Sequence, residues 1–258
     1  MNRIAKIINS ISKKFGYRLI KMEKNYWSDG FIGISKFEKS IIDISSKYSM
    51  TGFESKYFLI KAIEYVKNNN IHGDFVECGV WRGGNLILFE KMIEKLKIKK
   101  KIYAYDTFKG MSEPGKFDYT FKKESAKKII DSLKMKKADP KKNIVLAECS
   151  LDEVKKNYYK NTIFNKNLIC IKGPVEKTLK IRKNIPKKIS ILRLDTDWYE
   201  STKIELETLF PLLSKNSILI IDDYGYWSGA KKAVDDFFKK KPVSLFKIDF
   251  TSRFVIKK

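Results

Sequence analysis

Histidine and cysteine are scarce in this sequence, which restricts its chemistry. The 258 residues contain one histidine, His72, and three cysteines, Cys78, Cys149 and Cys170, with no Cys-x-x-Cys spacing. This excludes a disulfide framework and a cysteine-type zinc site, and it disfavours histidine-based catalytic triads. We interpret His72 as a loop residue before a strand. A metal ion would therefore depend on oxygen ligands, which favours Mg²⁺, Mn²⁺ or Ca²⁺.

Long apolar runs are also missing. No segment reaches the roughly 18 apolar residues that a membrane-spanning helix needs. Apolar residues at helical spacing predict a short amphipathic helix over residues 3–15, with lysine on its polar face. Two interpretations remain open: this helix contacts an anionic membrane or a partner glycosyltransferase, or it folds against its own domain. We expect a cytoplasmic protein, with peripheral membrane attachment as the alternative.

Arginine is rare although the chain is strongly basic. The 54 basic residues outnumber 30 acidic ones, giving a formal charge of +24, yet only six of the 54 are arginine. Reading of bases and bidentate capture of phosphate favour arginine. We therefore predict a generally basic surface and no specific nucleic-acid site.

Alternating strand and helix patterns predict the fold. The predicted strands cover residues 75–78, 102–105, 168–171, 189–194, 217–221, 244–248 and 253–256. This alternation is typical of an α/β fold with a doubly wound, mostly parallel sheet, and the last two strands suggest an antiparallel edge hairpin. We predict a basic helical extension over 1–48 and a main domain over 49–258, with a lid-like insertion near 111–166. A helix over 53–66 would be capped by Thr51.

A glycine-rich turn follows the first predicted strand. Gly79, Gly83 and Gly84 allow close approach of a ligand to the backbone and open a helix, although the G-x-G-x-x-G spacing is absent. Asp106 follows the second predicted strand, a position where an acid accepts hydrogen bonds from ribose hydroxyls. The combination indicates a nucleoside-bearing cofactor that needs no pyrophosphate site, and S-adenosylmethionine fits this description.

Two acidic pairs follow later strands. Asp195 and Asp197 come after one strand, and Asp222 and Asp223 after the next. Carboxyl ends of parallel strands meet at one edge of the sheet, where four carboxylates would repel one another without a cation. A hard divalent ion held by three of them is the metal hypothesis. The alternative is that these acids only cap helices.

Several long sequence blocks resemble the TylF/MycF macrocin O-methyltransferase family. The blocks are Met50-Thr51, DFVECGVWRGG at 74–84, YDTF at 105–108, LRLDTDWYEST at 192–202 and DDY at 222–224. The resemblance spans roughly residues 48–240. It implies a Rossmann-like methyltransferase that uses S-adenosylmethionine and Mg²⁺ (or Mn²⁺) to methylate a hydroxyl, often on a sugar of a natural product.

The resemblance also implies roles for individual residues. The cofactor-binding residues would be Met50, Thr51, Glu77, Gly79, Gly83, Gly84, Asp106 and Thr107. Asp195, Asp222 and Asp223 would hold the metal and Asp197 would be the general base, although Asp195 and Asp197 are interchangeable on sequence alone. We expect a small-molecule or saccharide acceptor and a homo-oligomer.

Two alternative functions remain. The +24 charge suits an RNA-binding methyltransferase. Residues 110–116 have the G-x-x-x-x-G-K spacing of a P-loop phosphotransferase, but Phe117 stands where a Ser or Thr should bind Mg²⁺.

Overall fold

The computed structural model describes residues 33–143, 145–163 and 166–258, together with Ile8 and Ser12. The amphipathic helix predicted over residues 3–15 lies outside the described residues except at Ile8 and Ser12, and its partner stays a prediction. Residues 40–258 form one compact unit. Among the described residues, no helix is both long enough and apolar enough to cross a bilayer.

A mixed seven-stranded sheet forms the centre of the fold. Its strands are β1 (Asp74–Cys78), β2 (Ile102–Asp106), β3 (Leu168–Lys172), β4 (Ile189–Leu194), β5 (Leu213–Ile221), β6 (Phe246–Lys247) and β7 (Arg253–Ile256). Their order is β3-β2-β1-β4-β5-β7-β6. Strands β1 to β5 are parallel, and β7 is antiparallel to both β5 and β6. The predicted mostly parallel α/β sheet with an antiparallel edge is confirmed.

Helices separate the strands along the chain. They are α1 (Lys36–Ser46), α2 (Phe53–Asn68), α3 (Gly84–Leu96), α4 (Ala126–Met135), α5 (Leu151–Asn161), α6 (Val175–Thr178), α7 (Tyr199–Leu209) and α8 (Ser228–Phe238). The central strands are buried because helices cover the sheet, and β4 is buried at every position. This burial explains why the strands are almost wholly apolar.

The strand register brings the ends of the central strands level. Cys78 of β1 pairs with Leu194 of β4, and Leu194 pairs with Ile221 of β5. The next residues, Gly79, Asp195 and Asp222, therefore emerge side by side at the carboxyl edge of the sheet. This register is what places the predicted site residues together.

Two local predictions were wrong. The N-cap of α2 is Gly52, and no side chain caps this helix. Thr51 instead directs its hydroxyl into a buried polar network described below. The strand predicted over 244–248 shortens to Phe246–Lys247 because only these two residues pair with β7.

The segment 111–166 contains helices α4 and α5 joined by irregular chain. Residues 110–116 are followed by loop, and the next helix begins only at Ala126. A P-loop needs a helix directly after its glycine-rich turn, because the helix N-terminus binds the phosphates. The local structure therefore contradicts the P-loop interpretation.

Candidate active site

A cleft opens at the carboxyl edge of the parallel strands. Its empty volume, including the space open to solvent, is about 710 Å³. Residues that follow four neighbouring strands line it, and the insertion contributes Met111 and Ser112. Of the residues predicted to bind the cofactor, four line the cleft: Met50, Gly79, Asp106 and Thr107.

Gly79 is the glycine that the cleft requires. Its φ is +81°, and a Cβ atom there would lie 1.9 Å from the carbonyl oxygen of Asp195. Gly83 caps α3 with φ +85°, whereas a Cβ on Gly84 would collide with Ser49 at 2.4 Å. Gly83 and Gly84 do not line the cleft. They shape the turn and let the chain pack, while Gly79, which does line the cleft, lets the turn pack closely on the backbone of Asp195.

We expect Gly79→Ala to abolish cofactor binding and to lower the free energy of unfolding by at least about 2 kcal/mol, since it combines overpacking with a strained φ. Urea denaturation and titration with S-adenosylmethionine measure the two effects. The matched control is Gly52→Ala, where φ is −65° and the nearest atom to the new Cβ is 3.7 Å away. An equal effect at both glycines would contradict the assigned role of Gly79.

Asp106 lies at the cleft but is already hydrogen-bonded. Its Oδ2 accepts the backbone N–H groups of Val80 at 2.8 Å and Trp81 at 3.2 Å. Its Oδ1 accepts the N–H of Phe108 at 2.7 Å. Burial raises the pKa of Asp106 in spite of these bonds. The carboxylate therefore fixes the glycine turn, a structural role that the sequence did not reveal and that competes with the predicted ribose contact.

Three aspartates converge beside the cleft. Asp195, Asp197 and Asp223 each present a carboxylate oxygen, and these oxygens lie within 4.8 Å of one another. The backbone of Asp197 has φ +67°, a conformation that non-glycine residues rarely adopt, and its N–H donates to Asp223 Oδ2 at 3.2 Å. This turn therefore holds the backbone of Asp197 against the carboxylate of Asp223.

Asp222 turns away from this group. Its Oδ1 accepts from Arg193 Nη2 at 2.7 Å and from the Ser252 hydroxyl at 3.0 Å. The acid pair after β5 is thus split because successive residues point in different directions. The structure therefore brings together Asp195, Asp197 and Asp223, whereas the sequence predicted Asp195, Asp222 and Asp223 as the metal ligands.

The three convergent acids favour protonation. Burial raises the pKa of Asp195 and Asp223 well above the usual range, and the neighbouring carboxylates add to the effect. Burial also raises the pKa of Asp197 to about 6. Mutual repulsion of this kind is relieved by a proton or a cation, so the cluster is prepared for either.

A buried arginine connects the acids. Arg193 of β4 is 1% exposed, and its Nη1 donates to Glu77 Oε1 at 2.9 Å and to Asp195 Oδ2 at 2.6 Å. Its Nη2 donates to Thr51 Oγ1 at 3.0 Å as well as to Asp222. Glu77 and Thr51 do not line the cleft. Both residues predicted to contact the cofactor instead hold this arginine.

The sequence reasoning missed Arg193 and its neighbour Asn85. Asn85 Nδ2 donates to Thr51 Oγ1 at 3.0 Å and to Glu77 Oε1 at 2.9 Å. The sequence does contain a signal for Arg193, because it is the one charged residue of β4 and the other residues of that strand are apolar or serine. Nothing in the sequence marks Asn85, whose place depends on how α3 leaves the glycine turn.

A second polar cluster supports Asp222 from behind. The Ser55 hydroxyl donates to Asp249 Oδ2 at 2.6 Å, and Ser252 is held by its N–H bond to Asp249 Oδ1 at 2.7 Å. Lys56 is 2% exposed and donates to the carbonyl of Thr51; burial lowers its pKa to about 8. The edge hairpin and α2 thus orient Asp222 together.

The insertion is bonded to the same edge. Trp198 Nε1 donates to the carbonyl of Ser112 at 3.0 Å, and the backbone N–H of Tyr199 donates to Asp118 Oδ1 at 2.9 Å. Asp118 is 1% exposed and also accepts the N–H of Gly115 at 2.6 Å. This fixes the near part of the insertion beside Asp197, one residue from Trp198.

Comparison with known proteins gives one family match and several relatives. A family profile described as macrocin-O-methyltransferase (TylF) matches residues 38–257. The demethyldecarbamoylnovobiocin O-methyltransferase of Streptomyces niveus is 29% identical over 197 residues, which are 76% of this chain and 70% of that protein. A tetracenomycin rhamnosyl 4'-O-methyltransferase of Streptomyces olivaceus is 29% identical over 214 residues, 81% of this chain and 76% of that protein.

Among solved structures, the O-methyltransferase NovP superposes with a TM-score of 0.70 at 28% identity and covers 82% of each chain. The family match extends over most of the chain, including β1 to β7 and the acidic cluster. This chain therefore belongs to the TylF macrocin O-methyltransferase family.

Proposed function

We propose that the protein transfers a methyl group from S-adenosylmethionine to a sugar hydroxyl of a glycan or glycosylated natural product, with the help of Mg²⁺ or Mn²⁺. The observation that carries the proposal is the convergence of Asp195, Asp197 and Asp223, of which Asp195 and Asp197 line the cleft. Membership of an O-methyltransferase family supports the reaction type.

The cleft fits S-adenosylmethionine. Met50, Gly79, Asp106 and Thr107, four of the predicted cofactor residues, line it. Its carboxylates, Asp106, Asp195 and Asp197 among them, suit a sulfonium cation. S-adenosylmethionine supplies an electrophilic methyl group when bound. Asp106 would contact the ribose with a carboxylate that also accepts backbone N–H groups of the glycine turn.

The acids also fit a hard divalent cation. Three carboxylate oxygens within 4.8 Å of one another match the spread of oxygen ligands around one ion. Asp195 and Asp223 would hold it, with either Asp197 or Asp222 as the third acid. Asp222 offers Oδ2, the oxygen that does not contact Arg193 or Ser252, and leaves Asp197 to act as the base. Mg²⁺ in such a site supplies positive charge that lowers the pKa of an acceptor hydroxyl.

The chain's own residues then perform two tasks. Asp197 is held by its backbone bond to Asp223, and with a pKa of about 6 its carboxylate is ionised at neutral pH and able to accept the hydroxyl proton. Arg193 keeps Asp195 in place through a 2.6 Å bond. The rest of the catalysis is positioning of the acceptor oxygen in line with the methyl group.

The acceptor is assigned by chemical class. The related enzymes of the two Streptomyces species are named for glycosylated substrates, novobiocin and tetracenomycin derivatives. A panel of saccharides and glycosylated aromatic compounds, incubated with S-adenosylmethionine and Mg²⁺, tests the proposal by product mass. Addition of one methyl group to a sugar supports it. Methylation of RNA alone, with every saccharide unchanged, would overturn it.

Metal binding should depend on pH. The raised pKa values of Asp195, Asp197 and Asp223 mean that the folded apoprotein binds more protons than the unfolded chain above about pH 4. Apoprotein stability from these groups therefore falls as pH rises through the pKa of about 6 of Asp197. We expect Mg²⁺ to raise Tm at about pH 7.5 by several degrees and hardly at about pH 5, where protons compete.

Thermal melts with and without Mg²⁺ at the two pH values measure this difference. Asp223→Asn is the matched variant, since it keeps the side-chain shape and removes one charge of the cluster. It should lose the Mg²⁺ effect at the higher pH. If the Mg²⁺-induced rise in Tm were the same at both pH values and in Asp223→Asn, the metal would bind elsewhere.

A further inference from the structure

The edge of the sheet opposite the cleft carries several exposed lysines. Six lysines lie where strands start or, for the antiparallel β7, where the strand ends, and all six side chains are exposed. They are Lys99, Lys166, Lys187, Lys188, Lys215 and Lys258, called here the basic edge.

Hydrogen bonds between neighbouring strand ends show that these positions form a row across the sheet. Lys101, two residues after Lys99, donates from its side-chain Nζ to the carbonyl of Lys166 at 3.1 Å. The carbonyl of Lys188 accepts from Asp74 at the start of β1, and the N–H of Asn216 donates to the carbonyl of Lys257 at 2.7 Å. Strands lie about 4.8 Å apart, so a row from β3 to β7 extends over about 24 Å.

The charges of the basic edge are not neutralised by described residues. None of its six lysines forms an ion pair or a side-chain hydrogen bond within the described part of the chain, whereas Lys231 and Lys232 of α8 pair with Asp235 and Asp236. Lys257, which precedes Lys258, is not part of the basic edge because its Nζ donates to the carbonyl of Leu213 at 2.6 Å. Asp74, an acid of this edge, accepts the backbone N–H of Lys101 at 2.9 Å.

An apolar side chain lies at one end of the row. Ile163, five residues before β3, is 78% exposed. A row of cations with an exposed aliphatic side chain suits an anionic bilayer, where headgroups attract lysine and the interface accepts apolar groups. Only six of the chain's 54 basic residues are arginine, the side chain that captures nucleic-acid phosphates and bases best.

We propose that the basic edge docks the protein on an anionic lipid surface, with the cleft at the opposite edge of the sheet. The acids lie at the carboxyl ends of the strands and the basic edge at their starts, about 17 Å away for a five-residue strand. Cofactor and product then exchange freely with solvent while the enzyme stays at the membrane. This inference does not depend on the proposed reaction.

Sedimentation of the full chain with vesicles tests it, using phosphatidylcholine alone and phosphatidylcholine with one-quarter phosphatidylserine. Wild type should bind only the anionic vesicles, and salt should weaken binding. Lys187→Glu combined with Lys188→Glu and Lys215→Glu should weaken binding at least about tenfold. The matched control, Lys127→Glu with Lys128→Glu and Lys156→Glu, makes the same charge change on exposed lysines of α4 and α5 and should stay within about twofold.

Both variants are first shown to melt like wild type, and the corresponding glutamine variants repeat the comparison without charge reversal. Absence of binding by wild type would overturn the proposal. An equal loss of vesicle binding in both variants would also overturn it, because binding would then depend on the overall charge of the protein and not on the basic edge. Loss of single-stranded RNA binding in the first variant, with vesicle binding unchanged, would also overturn it in favour of a nucleic-acid surface.

Discussion

Asp197→Asn should reduce methyl transfer by about 10² to 10⁴-fold, the usual contribution of a positioned general base. The amide keeps the shape of the side chain but accepts no proton at neutral pH. The backbone bond from Asp197 to Asp223 Oδ2 is independent of the replaced group, so the turn should persist. Single-turnover rates at saturating acceptor, together with the Kd of S-adenosylmethionine, measure the effect.

The two roles left open for Asp197 give different results in the same experiment. If Asp197 is the base, the rate falls and the Mg²⁺ concentration for half-maximal activity stays unchanged. If it is a ligand, as its place in the convergent trio suggests, that concentration rises, and Asp222→Asn changes it less. Asp235→Asn, which alters an exposed acid paired with Lys231, is the control and should leave activity intact. Full activity of Asp197→Asn would remove it from the mechanism.

Arg193→Met should destabilise the protein by about 3 to 5 kcal/mol, the usual cost of leaving buried charges without a partner. The substitution removes the donor shared by Glu77, Asp195 and Asp222. Burial already raises the pKa of Glu77, and its Oε2 has no hydrogen-bond partner among the described residues. Since total stability is about 5 to 15 kcal/mol, the variant should unfold at a much lower urea concentration.

Arg193→Lys keeps the charge but loses the planar fork, so we expect an intermediate loss. Adding Glu77→Gln to Arg193→Met should recover part of the stability, because one uncompensated carboxylate disappears. Arg82→Met is the control: its guanidinium is partly exposed and 3.9 Å from Glu153, and such pairs contribute at most about 1 kcal/mol. A loss at Arg193 as small as at Arg82 would contradict the account of the network.

The strand pattern was readable from the sequence because it reflects burial. The apolar runs of β1, β2 and β4 mark strands covered on both faces, and their carboxyl ends carry the glycine turn and the acids. The site's location followed from topology alone. The edge strand β6 was overestimated, since an exposed two-residue pairing leaves little pattern.

Side-chain direction was not readable in the same way. Asp222 and Asp223 are adjacent, yet one binds Arg193 and the other joins Asp195 and Asp197, because consecutive residues after a strand point apart. Thr51 looked like a helix cap and binds Asn85 and Arg193 instead. Both outcomes depend on partners far away in sequence, Ser252 and Asn85 among them, which spacing does not encode.

The most direct measurement of the central claim follows methyl transfer from labelled S-adenosylmethionine to a saccharide-bearing acceptor, with Mg²⁺ or with a chelator. We predict product with Mg²⁺, little with the chelator, and loss with Asp223→Asn at any Mg²⁺ concentration. Undiminished transfer in the chelated enzyme and in Asp223→Asn would show that the convergent acids do not hold a catalytic metal.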